Sequence, residues 1–386
     1  MTTYLLAGGG TAGHVNPLLA VADRLRRREP DATVLVLGTA EGLEARLVPQ
    51  RGYELLTVPR LPFPRRPSAD ALRFPGRLAG AISGIRALLA QHDVDVVVGF
   101  GGYAAAPAYV AAWRSKVPVV VHEANAKPGM ANVLGSFLSS HVGVVFRSTR
   151  LRGGRQVGMP LRDEIETLDR RAHRDEAVAA FDLDPARPTL LVTGGSTGAR
   201  RLNETMARAA VAVLGAGWQI LHITGEKSDL TSTDLDGHHL LRYCDRMDLA
   251  LSAADFVVSR AGSATVSELT ALGLPSVLVP YPVGNGEQRH NATDVVGAGG
   301  AVLVADAEFT PSWVERTLVP LLLDRAVVAD MAVRAASVGV RDGTDRTVEL
   351  VLDAVGRASW SGAATRAADA VPGATTRTNT DLSETS

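Results

Sequence analysis

The sequence predicts an α/β protein built from two successive doubly wound domains, each a parallel sheet wrapped by crossover helices. Three observations carry this reading. The 386 residues exceed what one ordinary hydrophobic core organises. Short β-branched apolar runs alternate with helical patterns, the mark of parallel strands joined by crossover helices. The alternation also restarts: "TLLVTGGSTGAR" at 189–200 repeats the layout of "TYLLAGGGTAGH" at 3–14, with apolar strand, glycine pair, small hydroxyl residue and helix start in the same order.

In chain order, the apolar run 4–6 is the first strand, followed by a glycine loop and the helical pattern 18–22. Further strands are expected at 33–37, 94–98, 117–121 and 142–146. The longest uncharged run, 96–113, approaches the length of a membrane span. It reads better as a buried strand at 96–98, a turn at 99–102 and a small-residue helix interrupted by Pro107. "VGMPLRDEI" at 157–165 marks the crossing between domains, and strands return at 219–223, 256–258 and 276–279. The expected domains are 1–161 and 162–356, with the last helix returning to the first domain. Residues 357–386 are expected to be a disordered tail, since from Ser361 onward only Val371 and Leu382 are larger aliphatics.

Composition narrows the function. Hydrophobic residues make up 46% and charged residues 21%, a globular balance. A formal net charge of -1 supplies no global field for nucleic acid, so no nucleic-acid partner is expected. The single cysteine, Cys244, excludes an intramolecular disulfide and a cysteine-cluster metal site, and favours a reducing compartment. Met1 runs at once into a strand and glycine loop, so no secretory signal is expected.

Gly8, Gly10 and Gly13 fit G-x-G-x-x-G, the dinucleotide fingerprint. That assignment needs an acidic residue after the second strand to hold a ribose, and "VLVLGTAEG" offers Gly38 and Thr39 there. A generic glycine turn remains the plain alternative. Both glycine loops nevertheless present backbone N–H groups at a helix start, which suits phosphate oxygens. The Asp-x-Asp triplets at 93–95, 182–184 and 234–236 superficially match the metal element of sugar transferases. The first leads into the wrong end of a strand and the others look like solvated turns, so no metal or other cofactor is expected. In "SRAGSATVSELTALGLPSVLVPYP", 259–282, residues 262–265 read as a small-residue loop. Glu268 follows Thr265 with capping-box spacing; its sharper role is a bidentate acceptor for two vicinal hydroxyls.

The stretches GGGTAGHVNP, GTAEGLEARLVPQRG, GFGGYAAAP, HEANAKPGMAN, TGGSTGARRLN, and SRAGSATVSELTALGLP with EQRHNA, in that order, resemble the MurG family. These are bacterial peripheral-membrane N-acetylglucosaminyltransferases of glycosyltransferase family 28 that convert lipid I to lipid II. The resemblance covers residues 3 to 355. It implies a GT-B fold, an inverting mechanism, and UDP-N-acetylglucosamine held mainly by the C-terminal half.

Residue by residue, Ser196 matches a serine near the diphosphate, with Asn203 in the same motif, and Arg162 matches an interdomain arginine able to pair with phosphate. Cys244 falls where the family's backbone meets uracil. Ser263, Ala264, Thr265, Val266, Ser267 and Glu268 match the donor loop, with Glu268 on ribose. Gln288 matches a glutamine on sugar hydroxyls, whereas Glu287 replaces a second one. Thr11, Ala12, Gly13 and Asn125 match positions that close over the donor. Ala12 departs from the family's GGTGGH, Met159 from its GNP and Ala124 from its HEQN.

Transfer requires a base for the acceptor's C4 hydroxyl. His14 is the first candidate, because imidazole titrates near neutrality; the alternative is a capping histidine at a helix start. His122 and Glu123 are rival bases, with a satisfied core histidine as the plain reading of His122. Tyr103 is expected to hydrogen-bond the acceptor. "RLPFPRRPSADALRFPGR" at 60–77 carries Arg60, Arg65, Arg66, Arg73 and Arg77 with Phe63 and Phe74; a solvated charged loop is the plain reading, and with the family resemblance the run suits an anionic membrane surface on the cytoplasmic face. Two other classes stay open: a GT-B transferase for another lipid or small-molecule acceptor, and a non-catalytic UDP-sugar sensor.

Overall fold

The computed structural model describes residues 1–62, 64, 69–195, 199–283 and 286–356. The expected tail therefore lies outside the described residues, as do Phe63, Arg65, Arg66 and Ser196.

Two parallel sheets form the molecule. The first contains β1 (Thr3–Ala7), β2 (Thr33–Gly38), β3 (Glu54–Thr57), β4 (Val96–Gly99), β5 (Val119–Glu123), β6 (His141–Val144) and β7 (Gly154–Gln156). Its order is β3-β2-β1-β4-β5-β6-β7. The second contains β8 (Thr189–Thr193), β9 (Gln219–Ile223), β10 (His238–Leu241), β11 (Phe256–Ser259), β12 (Ser276–Leu278) and β13 (Ala301–Leu303), ordered β10-β9-β8-β11-β12-β13. Both follow the 3-2-1-4-5-6 order of doubly wound nucleotide folds. Each has its crevice where the chain reverses direction across the sheet, between β1 and β4 and between β8 and β11.

The strands visible in the sequence are those buried on both faces, which therefore read as mostly apolar runs: all five residues of β1, β5, β8 and β9 are buried, the polar His122, Glu123, Gln219 and His222 among them. The edge strand β7 and its counterpart β3 are largely exposed or half-buried and lack that run. The strand expected at 94–98 begins at Val96. Asp93 takes a left-handed turn (φ 47°), Val94 N–H closes the preceding helix onto Leu89 O, and Asp95 accepts the Thr3 amide at 2.8 Å.

The helix after β1, Ala12–Arg28, takes in the 18–22 pattern and has His14 in its first turn, at the expected helix start. One helix corrects the sequence reading. Pro107 does not interrupt the helix Ala105–Ser115; it is the third residue, where the missing N–H costs no intrahelical bond. Among the described residues no helix is long and apolar enough to cross a membrane.

The chain then returns. Helix Gly343–Ala354 packs Val348, Leu350 and Val351 into the core formed by Tyr4, Leu6 and Leu18 of the first sheet's layer. Arg28–Glu349 (2.6 Å) and Arg24–Asp345 ion pairs flank it. The sheets' carboxyl edges meet through Asn291, whose Oδ1 accepts Ala126 N–H at 2.9 Å while its Nδ2 donates to Ala261 O at 3.3 Å.

Candidate active site

The second sheet's switch point opens into a cavity of about 560 Å³, lined among others by Gly194, Gly195, Cys244, Thr265, Glu268 and Gln288. That volume suits a small organic ligand. β8 delivers the two glycines, and β11 delivers Arg260 and Gly262 before helix Ser263–Ala271. The small-residue loop expected at 262–265 is thus helical from Ser263. Gly262 is its N-cap and no side chain caps it, so the capping-box role of Thr265 and Glu268 is corrected. The reason is spacing: Glu268 is the sixth helical residue, a full turn too late to reach back to an N-cap.

Glu268 faces the cavity with its side chain 18% exposed, its Oε1 3.5 Å from Arg162 Nη2. Burial pushes its carboxyl above the ordinary range, against the pull of Arg162. Arg162, leading into the short helix Asp163–Glu166, also lies 3.4 Å from Glu164. Gln288 Oε1 accepts Tyr281 N–H at 2.9 Å, which orients its amide nitrogen as a donor. Burial pushes the Cys244 thiol up to about 11, so it stays protonated and non-nucleophilic. Arg260, which the sequence reading passed over, bonds Asp306 at 2.6 Å and Val279 O at 3.1 Å while lining the cavity. Its only signal is a polar residue directly after a strand.

Not all expected donor residues converge. Val266 and Ser267 lie on the far side of their helix, beside Phe146 and Met159. Ser263 is buried in the first turn and Ala264 is half-buried. Asn203 is buried outside the cavity lining. It donates to Thr224 O at 2.8 Å and Ser228 Oγ at 3.0 Å and meets His222 Nε2 at 3.1 Å, tethering helix Arg200–Gly215 to the segment after β9.

The first sheet's switch point brings the glycine loop 8–10 against the loop 100–103 after β4. Gly102 (φ 81°) has to be glycine, since a Cβ there would stand 2.5 Å from Gly9 O. Thr11 precedes the helix that Ala12 and Gly13 open, its Oγ1 3.4 Å from His14 Nδ1, and the half-buried His14 ring has Nδ1 3.1 Å from Gly9 O. A carbonyl only accepts, so Nδ1 carries the proton and Nε2 keeps a lone pair. Tyr103 is 38% exposed, with the Arg60 guanidinium 4.8 Å over its ring.

β5 supplies the rivals. His122 is wholly buried, its Nε2 3.2 Å from Gly158 O, and burial lowers its pKa to about 4. Glu123 is 2% exposed and accepts from Asn125 N–H (2.8 Å), Gly129 N–H (2.9 Å) and Asn132 Nδ2 (2.9 Å). Burial raises its carboxyl while these bonds oppose that. It therefore shapes the loop 124–129, which presents Asn125, whose Oδ1 lies 3.3 Å from Asn291 Nδ2. Among the described residues no three His, Cys, Asp or Glu side chains group as a metal site.

Twin sheets of Rossmann order, with a ligand-sized cavity at one switch point and an imidazole at the other, define a two-domain glycosyltransferase of the GT-B class. Models of the glycosyltransferase family 28 N-terminal and C-terminal domains match residues 4–144 and 189–347. The chain belongs to glycosyltransferase family 28, the family its ordered motifs resemble.

It is 64% identical over 351 residues to the UDP-N-acetylglucosamine--N-acetylmuramyl-(pentapeptide) pyrophosphoryl-undecaprenol N-acetylglucosamine transferase of Leifsonia xyli subsp. xyli, covering 91% of this chain and 98% of that protein. The protein of the same name from Streptomyces coelicolor is 51% identical over 355 residues, covering 91% and 98%. Among solved structures, MurG of Acinetobacter baumannii superposes with a TM-score of 0.76 at 27% identity, covering 92% of this chain and all of that one.

Proposed function

We propose that the protein moves N-acetylglucosamine from UDP-N-acetylglucosamine to the C4 hydroxyl of the MurNAc unit of undecaprenyl-diphospho-MurNAc-pentapeptide, converting lipid I to lipid II. The observation that carries this reading is the end-to-end likeness to the Leifsonia transferase. The test is transfer by purified protein from UDP-N-acetylglucosamine to a lipid I analogue. Formation of the disaccharide is expected; donor binding or hydrolysis without it would overturn the reading.

Residues 162–356 hold the donor. Uracil meets the Cys244 backbone, the ribose diol bonds the Glu268 carboxylate, and the sugar hydroxyls meet Gln288. The diphosphate lies against main-chain amides after β8, including the Ser196 loop, and against Arg162, so its charge is neutralised without a metal. Residues 1–161 hold the acceptor, with Tyr103 bonding it and Thr11 to Gly13 and Asn125 closing over the donor.

His14 Nε2 takes the C4 hydroxyl proton as the oxygen bonds the anomeric carbon. The bond from that carbon to the diphosphate oxygen breaks, and UDP departs with the electron pair. His14 is preferred to His122 and Glu123 because its side chain is only half-buried, whereas theirs are sealed from the cleft.

Contact with the cytoplasmic face of the membrane runs through Arg60, Phe63, Arg65, Arg66, Arg73, Phe74 and Arg77. The run is no simple loop, since helix Ala69–Gln91 begins inside it and presents Leu72 at 86% exposure. Helix Met130–Leu138 adds exposed Met130 and Phe137, the latter with the Arg152 guanidinium 5.6 Å from its ring.

A further inference from the structure

Glu44 opens the short helix Glu44–Gln50 after β2, has no part in the proposed donor contacts, and is wholly buried. An anion in that position is costly unless fully bonded. Its Oε1 accepts Thr39 N–H (2.9 Å) and Thr39 Oγ–H (2.8 Å), and its Oε2 accepts Gly10 N–H at 2.8 Å. A Cβ on Gly9, Gly38 or Gly42 would overlap this side chain, so three glycines shape its cage. These bonds hold its carboxyl below the ordinary range although burial opposes them.

Gly10 N–H and Gly9 C=O belong to one peptide unit. One side of that plane meets Glu44, and the other meets His14 Nδ1 at 3.1 Å. We propose that Glu44 is a positioning residue that acts on His14 through the Gly9–Gly10 peptide, an anion–histidine pair with a main-chain amide as the link. The carboxylate polarises the peptide, so Gly9 O becomes a stronger acceptor for Nδ1–H. That holds the tautomer leaving Nε2 unprotonated and stabilises the imidazolium formed when Nε2 takes a proton. The inference rests on His14 being the base of the proposed transfer.

The other titratable groups whose charge acts on His14 are His122 and Glu123 of β5. His122 is bonded to Gly158 O, and Glu123 to its own loop and Asn132, so neither holds the Gly9–Gly10 peptide.

Glu44→Gln keeps the size but presents an amide where Gly10 N–H needs an acceptor, or loses one of the Thr39 bonds. Expected are a fall in kcat of about 10- to 100-fold, the scale for an orienting partner, and donor KM within about twofold. The acid limb of kcat/KM should move to lower pH by about half a unit, because the imidazolium loses support. In a His14→Ala background the same change should cost almost nothing further. Histidine 15N spectra of the full wild-type chain should show His14 as the Nδ1–H tautomer, and Glu44→Gln should mix in the other.

An Nε2–H tautomer in wild type overturns the proposal whether or not the variant folds. So do an unmoved acid limb with an unchanged tautomer, or fully multiplicative losses in the double variant. His14→Ala retaining turnover and its acid limb would instead remove the base assignment, while the 15N spectra still report whether Glu44 sets the tautomer.

Discussion

At the residue scale, the proposed recognition of the donor turns on Glu268. A carboxylate suits a ribose diol because both its oxygens accept, and this one is largely desolvated with Arg162 as its counter-charge. Its raised pKa gives a signed expectation. In the proposed assignment the ionised form is the diol acceptor, so donor KM should rise on acidification sooner than an ordinary carboxylate would make it. Glu268→Gln should raise donor KM about 10- to 100-fold, the scale of a hydrogen bond to a charged group, and remove that pH dependence. Steady-state kinetics from pH 5 to 8 decide it, and a donor KM as pH-dependent in the variant as in wild type would contradict the assignment.

The placement of such residues was legible where type and motif coincide: Glu268 and Gln288 line the cavity, and His14 stands at the first glycine loop. Arg260 and Asn291 were quoted within motifs but given no role. Their meaning comes from what they touch across the fold, Asp306 for one and the Asn125 segment for the other. Glu44 lies in a quoted motif beside Gly38, Thr39 and Gly42, but its bond to Gly10, 34 residues earlier, leaves no local pattern to show its role.

At the element scale, the loops leaving β1, β4, β8 and β11 build both switch points, and the strands feeding them were legible because burial on both faces makes them continuously apolar. β3 and β7 were not: their exposed residues carry no run to read. β10 begins with His238 and His239, and its first residue is buried beside His222 rather than against an aliphatic layer.

Helix Met130–Leu138 is another element that the sequence reading did not place; its Met130 is 68% and its Phe137 67% exposed. Exposed apolar side chains beside Arg152 suit a lipid interface. Phe137→Asp should lower co-sedimentation with vesicles containing anionic lipid several-fold, while turnover on a short-chain, detergent-soluble acceptor is retained. Unchanged co-sedimentation would remove this helix from the membrane contact.

At the scale of the whole molecule, each half buries neutral histidine: His122 in the first sheet, and the stacked pair His222 and His238 in the second. Burial lowers their pKa values to about 4, about 3 and about 4, against 6.5 for free imidazole. The unfolded chain therefore binds protons before the folded one does. The stability these groups confer is complete above pH 6.5 and is lost as pH falls from there toward 4. Each histidine removes up to about 1.4 kcal/mol per pH unit within its window. Denaturant unfolding at pH 7 and pH 5 should show the loss, and equal stability at both would contradict it.

The same two halves, joined at their carboxyl edges by Asn291, place the cavity proposed for the donor and the His14 imidazole at the two switch points. In the proposed mechanism this pairing performs a single in-line displacement in which main-chain amides and arginine neutralise the leaving diphosphate. The most direct measurement is the anomeric configuration of the disaccharide formed from α-linked UDP-N-acetylglucosamine and a lipid I analogue with EDTA present. A β-linked product at an undiminished rate is the expected result; an α-linked product, or activity abolished by the chelator, would contradict it.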